Sequence, residues 1–74
     1  MSVDDVVSVY YGCGRIENGE FVGISAPSNA EQWQMSKIAD ELAANPTAIE
    51  AIAGATTGAE AREIVRRFMF ESLK

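Results

Sequence analysis

The chain has 74 residues, with six basic and eleven acidic side chains and a net charge of −5 at neutral pH. It contains no histidine and one cysteine. This composition excludes Ser-His-Asp and Cys-His catalysis, thiolate and histidine zinc sites, and an internal disulfide. We therefore expect no enzyme activity, no metal and no cofactor.

Length and hydropathy predict a single small domain over residues 1–74. In a domain of this size, the free energy gained by burying apolar surface nearly equals the cost of ordering the chain. Binding to a partner or to a second copy would therefore add stability. The sequence has no apolar run of about 20 residues that would span a membrane. Asp4 and Asp5 lie where a signal peptide needs positive charge, and a lone cysteine suits a reducing compartment. We expect a cytoplasmic protein.

The charge is divided unevenly along the chain. Residues 1–61 carry nine acidic and two basic side chains, a sum of −7, and residues 62–74 carry four basic and two acidic ones, a sum of +2. The larger part should repel nucleic-acid phosphates. The acidic part could instead dock on a basic patch of another protein or occupy a nucleic-acid groove as a mimic, but its charge density is too modest to favour mimicry strongly.

Residues 1–12 fit two secondary structures. The valines and tyrosines after Asp5 favour a β-strand by propensity. Ser2 followed by Asp5 is also typical of a helix start, apolar residues follow at helical spacing, and Gly12 is a suitable helix end. We favour the strand, because a hairpin signal follows directly.

Asn18-Gly19 between two β-compatible runs is a strong hairpin signal, since a type I′ turn needs positive φ at both positions. The resulting register pairs Ile16 with Phe21, Arg15 with Val22, and Cys13 with Ile24. One face, which we expect to pack on the helices, carries Val7, Val9, Tyr11, Cys13, Val22 and Ile24. The other face carries Tyr10, Gly12, Gly14, Ile16, Phe21 and Gly23.

The stretch from Ser28 to Asn45 is the clearest helix, and we expect the rest of the chain to be organised around it. Ser28 and Glu31 form a capping box, and Pro46 after Asn45 disfavours continuation. Its apolar stripe consists of Met35, Ile38, Ala39 and Leu42.

Trp33 lies roughly opposite the centre of that stripe, on a face shared with Lys37 and Asp40. One interpretation is that Trp33 covers the segment around Pro27 or the hairpin. The other is that it is an exposed anchor for a partner, because tryptophan is enriched among interface hot spots.

Two further helices close the chain. Asn45 and Pro46 suit the start of a short helix that ends at Gly54. Thr57 with Glu60 forms a second capping box, and the last helix is predicted over residues 58–72. Phe70 points about 180° away from Ala61, the first residue of its apolar stripe, which suggests a frayed terminus or a contact with the hairpin.

These closing helices also suggest a helix-turn-helix alternative, in which Arg62, Arg66 and Arg67 face DNA. Glu60 and Glu63 on the same helix would then face phosphate, which disfavours nucleic acid. A solvated basic face that complements the helix dipole explains the arginines more simply.

The glycine motifs do not indicate a ligand. The run from Gly12 to Gly14 lacks the third glycine of a dinucleotide fingerprint, and the run from Gly54 to Gly58 lacks the lysine of a phosphate loop. Cys13 between two glycines is expected to be a small buried residue.

The run Leu42-Ala43-Ala44-Asn45-Pro46, followed by Ile49, Ile52, Ala55, Thr56, Thr57, Glu60, Ile64 and Phe68, resembles the helical leader region of nitrogen-fixation-type precursor peptides. The resemblance covers roughly the last 35 residues and implies recognition by an enzyme that modifies an attached peptide. The chain departs from this pattern in its predicted hairpin and in lacking a double glycine near its end. By size, acidity and layout the chain is also similar to small phage-encoded inhibitors of bacterial machinery.

The sequence thus predicts an α+β domain, with a β-hairpin over residues 1–26 and three helices over residues 28–74. We expect a non-enzymatic regulator or inhibitor that binds a larger protein. A DNA-binding regulator or antitoxin-like protein, a leader-like recognition domain and a homodimer remain alternatives. The candidate partner-binding residues are Trp33, Lys37, Asp40, Phe70, Tyr10 and Phe21.

Overall fold

A computed structural model of the chain describes residues 1–70. Within this part lie four α-helices, a two-stranded antiparallel hairpin and a π-helical turn. In chain order these are α1 (Val3–Tyr10), β1 (Gly14–Glu17), β2 (Glu20–Gly23), α2 (Asn29–Ala43), α3 (Pro46–Ala53), α4 (Gly58–Val65) and the π-turn (Arg66–Phe70). The α+β class and the early hairpin are confirmed.

The strand predicted over residues 1–12 is wrong, because this segment forms α1. Ser2 and Asp5 make a complete capping box: the Ser2 side chain accepts from the Asp5 N–H, and the Asp5 carboxylate accepts from the Ser2 N–H. The valines have strand propensity, a preference that spans about 1 kcal/mol per residue. Burial of each valine side chain against other helices contributes about 1.5–3 kcal/mol and outweighs it.

The end of α1 depends on Gly12, which has a positive φ of 79°. Its N–H donates to the Val9 carbonyl at 3.2 Å, and the following N–H, that of Cys13, donates to the Ser8 carbonyl at 2.9 Å. This is the Schellman arrangement, in which glycine adopts the left-handed conformation without steric cost.

Helix α1, and not α2, is the central element of the fold. It packs against α2, α3, α4 and β1, with α4 as its most extensive neighbour. Within Asn29–Ala43, by contrast, Leu42 alone is buried. The hydrophobic core consists of Val6, Val7, Val9, Leu42, Ala48, Ile52, Ala55, Ala61, Ile64 and Val65.

The hairpin has the predicted turn and register. Asn18 and Gly19 have positive φ angles of 52° and 79°, as a type I′ turn requires. The strand pairs are Gly14 with Gly23, Arg15 with Val22, Ile16 with Phe21, and Glu17 with Glu20. Beyond the ladder, the Ile24 N–H donates to the Cys13 carbonyl at 2.9 Å.

Within the strand ladder, the face that packs on the helices is the opposite of the predicted one, although Cys13, just before β1, is buried as predicted. Ile16 and Phe21 pack against the core, whereas the Ile24 side chain is 56% exposed. The Phe21 ring covers Gly14, where an added Cβ would collide with it. The absence of a side chain at Gly14 therefore lets this aromatic ring close over the strand.

The later helices begin where the sequence predicts. Ser28 and Glu31 complete the capping box of α2, and the Asn45 side chain accepts from two backbone N–H groups of α3. At α4, the Thr57 hydroxyl accepts from the Glu60 N–H. The Glu60 carboxylate accepts from the Thr57 hydroxyl, where a capping box would have it accept from the Thr57 backbone N–H.

The last helix departs from the prediction at its C-terminal end. Regular α-helical geometry ends at Val65, and the π-turn follows with wider i→i+5 hydrogen bonding. The predicted end of this helix at Ser72 lies outside the described residues. Within residues 1–70, no helix has both the length and the apolar character needed to cross a membrane.

Candidate protein-binding site

An open groove lies where the C-terminal end of α1, the middle of α2 and the π-turn meet. We call it the aromatic groove, and its volume is about 510 Å³. This volume falls within the range typical of ligand-binding clefts. The groove is lined by Tyr10, Tyr11, Gln34, Lys37, Ile38 and Phe70.

Three aromatic rings make contact along one side of this groove. Tyr10 and Phe70 stack with ring centroids 5.7 Å apart and an interplanar angle of 22°. Tyr11 meets Tyr10 edge-to-face at 5.5 Å and 74°. Both arrangements are favourable for aromatic pairs, so each ring helps to fix its neighbour.

Trp33 lies beside the aromatic groove on α2, in contact with the lining residue Lys37. They are four residues apart, which places them one above the other on the helix surface. The Lys37 ammonium lies 4.3 Å from the centre of the Trp33 ring, within cation–π distance. Trp33 remains 64% exposed, the most exposed of the large hydrophobic residues in the described chain. This exposure favours the interpretation of Trp33 as an anchor for a partner over that of a covering residue.

The π-turn explains why Phe70 lines the groove. On a regular α-helix, Phe70 would lie about 140° around the axis from Val65, which is buried. The i→i+5 hydrogen bonding of the turn brings residues five apart closer to one face. Phe70 is thereby directed toward α1, where it meets Tyr10 and remains 47% exposed.

The pKa of Tyr11, which lines the aromatic groove, is shifted by its surroundings. Burial raises the pKa of the Tyr11 phenol above its ordinary value of 10.0, and the nearby Tyr10 and Glu31 raise it further. The neutral phenol is therefore favoured at every physiological pH, and Tyr11 acts there as a hydrogen-bonding group without charge.

The structure brings together four of the six predicted partner-binding residues. Tyr10, Lys37 and Phe70 line the groove, and Trp33 contacts Lys37 beside it. Asp40 is exposed on α2 outside the lining, and Phe21 lies on the hairpin against the core.

Tyr11, Gln34 and Ile38 are lining residues that the sequence analysis did not single out as contacts. Gln34 and Ile38 are four residues apart on α2, so their spacing predicts that they are neighbours on the helix surface. Their position next to α1 depends on tertiary packing.

A second, smaller cleft of about 230 Å³ lies between α1 and α2. Its lining includes Asp4, Ser8, Pro27 and Ser36, together with apolar and amide groups. This cleft lacks exposed aromatic rings among its described lining residues, so it is a weaker candidate for an interface.

The arginines of the DNA-binding alternative are exposed on α4 and the π-turn. Arg66 forms a salt bridge with Glu63 at 2.7 Å, and the Arg67 guanidinium lies 5.4 Å from the centre of the Phe68 ring. Glu63 therefore neutralises part of the basic face. DNA contact through Arg62, Arg66 and Arg67 stays a prediction.

Cys13 is 8% exposed, in keeping with the expected small buried residue. Within residues 1–70, no three His, Cys, Asp or Glu side chains are grouped so that they could hold a metal ion.

Comparison with known protein families, with curated proteins and with solved structures gives no match. The functional argument therefore depends on the geometry of the aromatic groove.

Proposed function

We propose that the protein is a non-catalytic regulator or inhibitor that binds a larger protein through the aromatic groove and Trp33. The observation that carries this proposal is the convergence of Tyr10, Tyr11 and Phe70 beside an exposed Trp33. Tryptophan and tyrosine are the residues that most often dominate the binding energy of an interface.

The geometry favours tight recognition because the aromatic side chains are held before binding occurs. Tyr10 is stacked on Phe70, and Trp33 lies against Lys37. Side chains that are already ordered lose less conformational entropy on association, a cost of about 0.5–1.5 kcal/mol for each flexible side chain. The proposed site therefore binds with little rearrangement of the chain.

The lining of the groove suits binding better than catalysis. Its described polar groups are two phenols, the Gln34 amide and the Lys37 ammonium. None of these is paired with a carboxylate that could relay a proton during a reaction. The single buried cysteine supports action in a reducing compartment such as the cytoplasm.

The test compares two groove variants with a matched control in the native host. Tagged wild type, Trp33→Ala, Phe70→Ala and Ile24→Ala are each crosslinked in cells, and the captured proteins are identified. Ile24 is a suitable control because it is a large exposed hydrophobic residue on the hairpin, away from the groove.

A partner captured by the wild type is then purified and titrated against all four proteins. We expect Trp33→Ala and Phe70→Ala to weaken binding by roughly 30-fold or more, which corresponds to a hot-spot loss of about 2 kcal/mol. Ile24→Ala should bind within about threefold of wild type. Equal binding by all four proteins would show that the partner docks elsewhere.

A further inference from the structure

The described polar lining of the aromatic groove includes a cation and no carboxylate. The Lys37 ammonium can only donate hydrogen bonds, whereas the Gln34 amide and the two phenols can both donate and accept them. This is notable in a chain with a net charge of −5. The groove is therefore a local site for an electron-rich group on an otherwise acidic protein.

Lys37 is the cation that remains available in this site. Among the described residues, Arg15 pairs with Glu17 and Arg66 pairs with Glu63, but Lys37 has no salt bridge. Its contact with Trp33 places the ammonium over the ring and favours this position by about 0.5–1 kcal/mol. A cation–π contact leaves the charge of the ammonium in place, so Lys37 can still bind an anion.

We infer that the groove binds a short segment of the partner protein in which one carboxylate lies next to a large apolar side chain. This inference rests on the proposed function. The apolar side chain would pack against Tyr10, Ile38 and Phe70, while the carboxylate would meet Lys37 and Gln34. The geometry requires these two groups to be neighbours, because Lys37 lines the same groove as the aromatic rings.

Charge favours one carboxylate over an acidic run and over a second copy of this chain. The chain carries a net charge of −5, the sum of −7 for residues 1–61 and +2 for residues 62–74, so a segment with many acidic residues is repelled as it approaches. Two copies, each with a net charge of −5, repel one another in the same way. A single carboxylate gains the local attraction of Lys37 at the smallest cost in repulsion.

The test begins with selection from a displayed library of random short peptides, performed in parallel on wild type, Lys37→Glu and Arg62→Glu. Both variants change the net charge by the same amount. Arg62 is exposed on α4 and does not line the groove, so it controls for the overall charge. Circular dichroism confirms that each protein is folded before selection.

We expect wild type and Arg62→Glu to enrich peptides with one Asp or Glu within two positions of Phe, Trp, Leu or Ile. Lys37→Glu should lose this preference and enrich Lys or Arg at the same position. Enrichment without a preference for acidic residues on the wild type would overturn the inference, and so would an unchanged preference in Lys37→Glu.

A double-mutant cycle measures the contact directly. The best peptide and its Glu→Gln or Asp→Asn analogue are titrated into wild type and Lys37→Gln, with Trp33 fluorescence as the signal. Loss of the carboxylate should weaken binding to wild type by about fivefold, the upper range for an exposed ion pair. The same change should have little effect on Lys37→Gln, and an equal loss in both proteins would contradict the inference.

Two further results separate this inference from the proposed function. If the native partner binds all groove variants equally, the proposed function fails. If it requires Trp33 and Phe70 but binds Lys37→Gln like wild type, only the inference about the carboxylate fails. A Phe70-dependent dimer in sedimentation of the free protein would identify a second copy as the occupant and would overturn the inference.

Discussion

Helix α1 has eight residues, of which Val6, Val7 and Val9 are buried, whereas α2 has fifteen residues, of which Leu42 alone is buried. The two helices nevertheless begin alike, each with a complete capping box after a serine. The local start signal therefore determines that a helix forms, but not what the helix does. Its apolar content decides whether it fills the core or presents a surface.

This difference assigns separate tasks to the two helices. The short helix α1 holds the fold together, and its last residue, Tyr10, supplies one wall of the aromatic groove. The longer helix α2 has one fully buried residue, packs Met35, Ile38 and Ala39 partly buried against the core, and exposes Gln34, Lys37 and Trp33. In the proposed function, α2 is the recognition element and α1 is its support.

The largest effect is expected from a charge placed in α1. Val6 has 0% exposure, so Val6→Asp buries an unpaired carboxylate and should leave the chain unfolded under conditions in which wild type folds. Ser36→Asp places the same charge on an exposed position of α2, in the cleft that also contains Asp4, and should lower the free energy of unfolding by less than about 1 kcal/mol. Circular dichroism during urea titration measures both. A folded Val6→Asp protein would show that α1 is no more important to the hydrophobic core than α2.

The next largest effect on stability distinguishes a buried residue of α2 from an exposed one. Leu42 is 1% exposed, and Leu42→Ala should lower the free energy of unfolding by about 2–5 kcal/mol. Trp33→Ala removes an exposed ring and one cation–π contact, and should cost less than about 1 kcal/mol. Chemical denaturation of both variants tests whether Leu42→Ala loses more free energy of unfolding than Trp33→Ala.

Trp33 fluorescence provides an independent check, since it is the only tryptophan of the chain. We expect red-shifted emission from the free protein that is readily quenched by a small solute. Blue-shifted emission resistant to quenching in a monomer, or a loss of about 3 kcal/mol or more on Trp33→Ala, would place the ring inside the protein. The binding surface would then have to be sought elsewhere.

A secondary structure element of this fold could be predicted from the sequence where its signal lies within a few neighbouring residues. The hairpin follows from Asn18-Gly19, and α2 follows from Ser28, Glu31 and the stop at Asn45, because each signal acts within a few residues. Residues 1–12 carry conflicting local signals, since Ser2 and Asp5 favour a helix start and the valines favour a strand. The packing of α4 against this segment, a tertiary effect, favours the helix.

The candidate site shows the same limit. Trp33 and Lys37 share a face of α2 by helical spacing alone, so their proximity could be predicted from the sequence. The position of Phe70 could not, because a helical wheel assumes a constant turn and the π-turn changes it. The stacking of Phe70 on Tyr10 joins residues sixty positions apart, a contact with no local signature.

A smaller effect is expected at the ends of the helices. Gly12 has a φ of +79°, so Gly12→Ala forces a side chain into the left-handed region and should cost about 1–2 kcal/mol. Gly54 caps α3 with a φ of −91°, a conformation that alanine adopts freely. Gly54→Ala should therefore be neutral or stabilising by up to about 1 kcal/mol. Equal losses in urea titrations of the two variants would show that the end of α1 does not depend on its glycine.

The smallest expected effect concerns Tyr11, which follows α1 and lies near Glu31 of α2. The raised pKa of its phenol means that folding favours the neutral form. This contribution to stability is fully present below about pH 10, the pKa of an unperturbed tyrosine, and is lost as the pH rises through the folded pKa. We expect the free energy of unfolding of wild type, relative to Tyr11→Phe, to be constant from pH 7 to about pH 9.5 and to fall above pH 10. Other groups titrate in both proteins and cancel in the difference. A constant difference across the alkaline range would mean that Tyr11 is as accessible in the folded chain as in the unfolded one, and that the contact between α1 and α2 is open at this end.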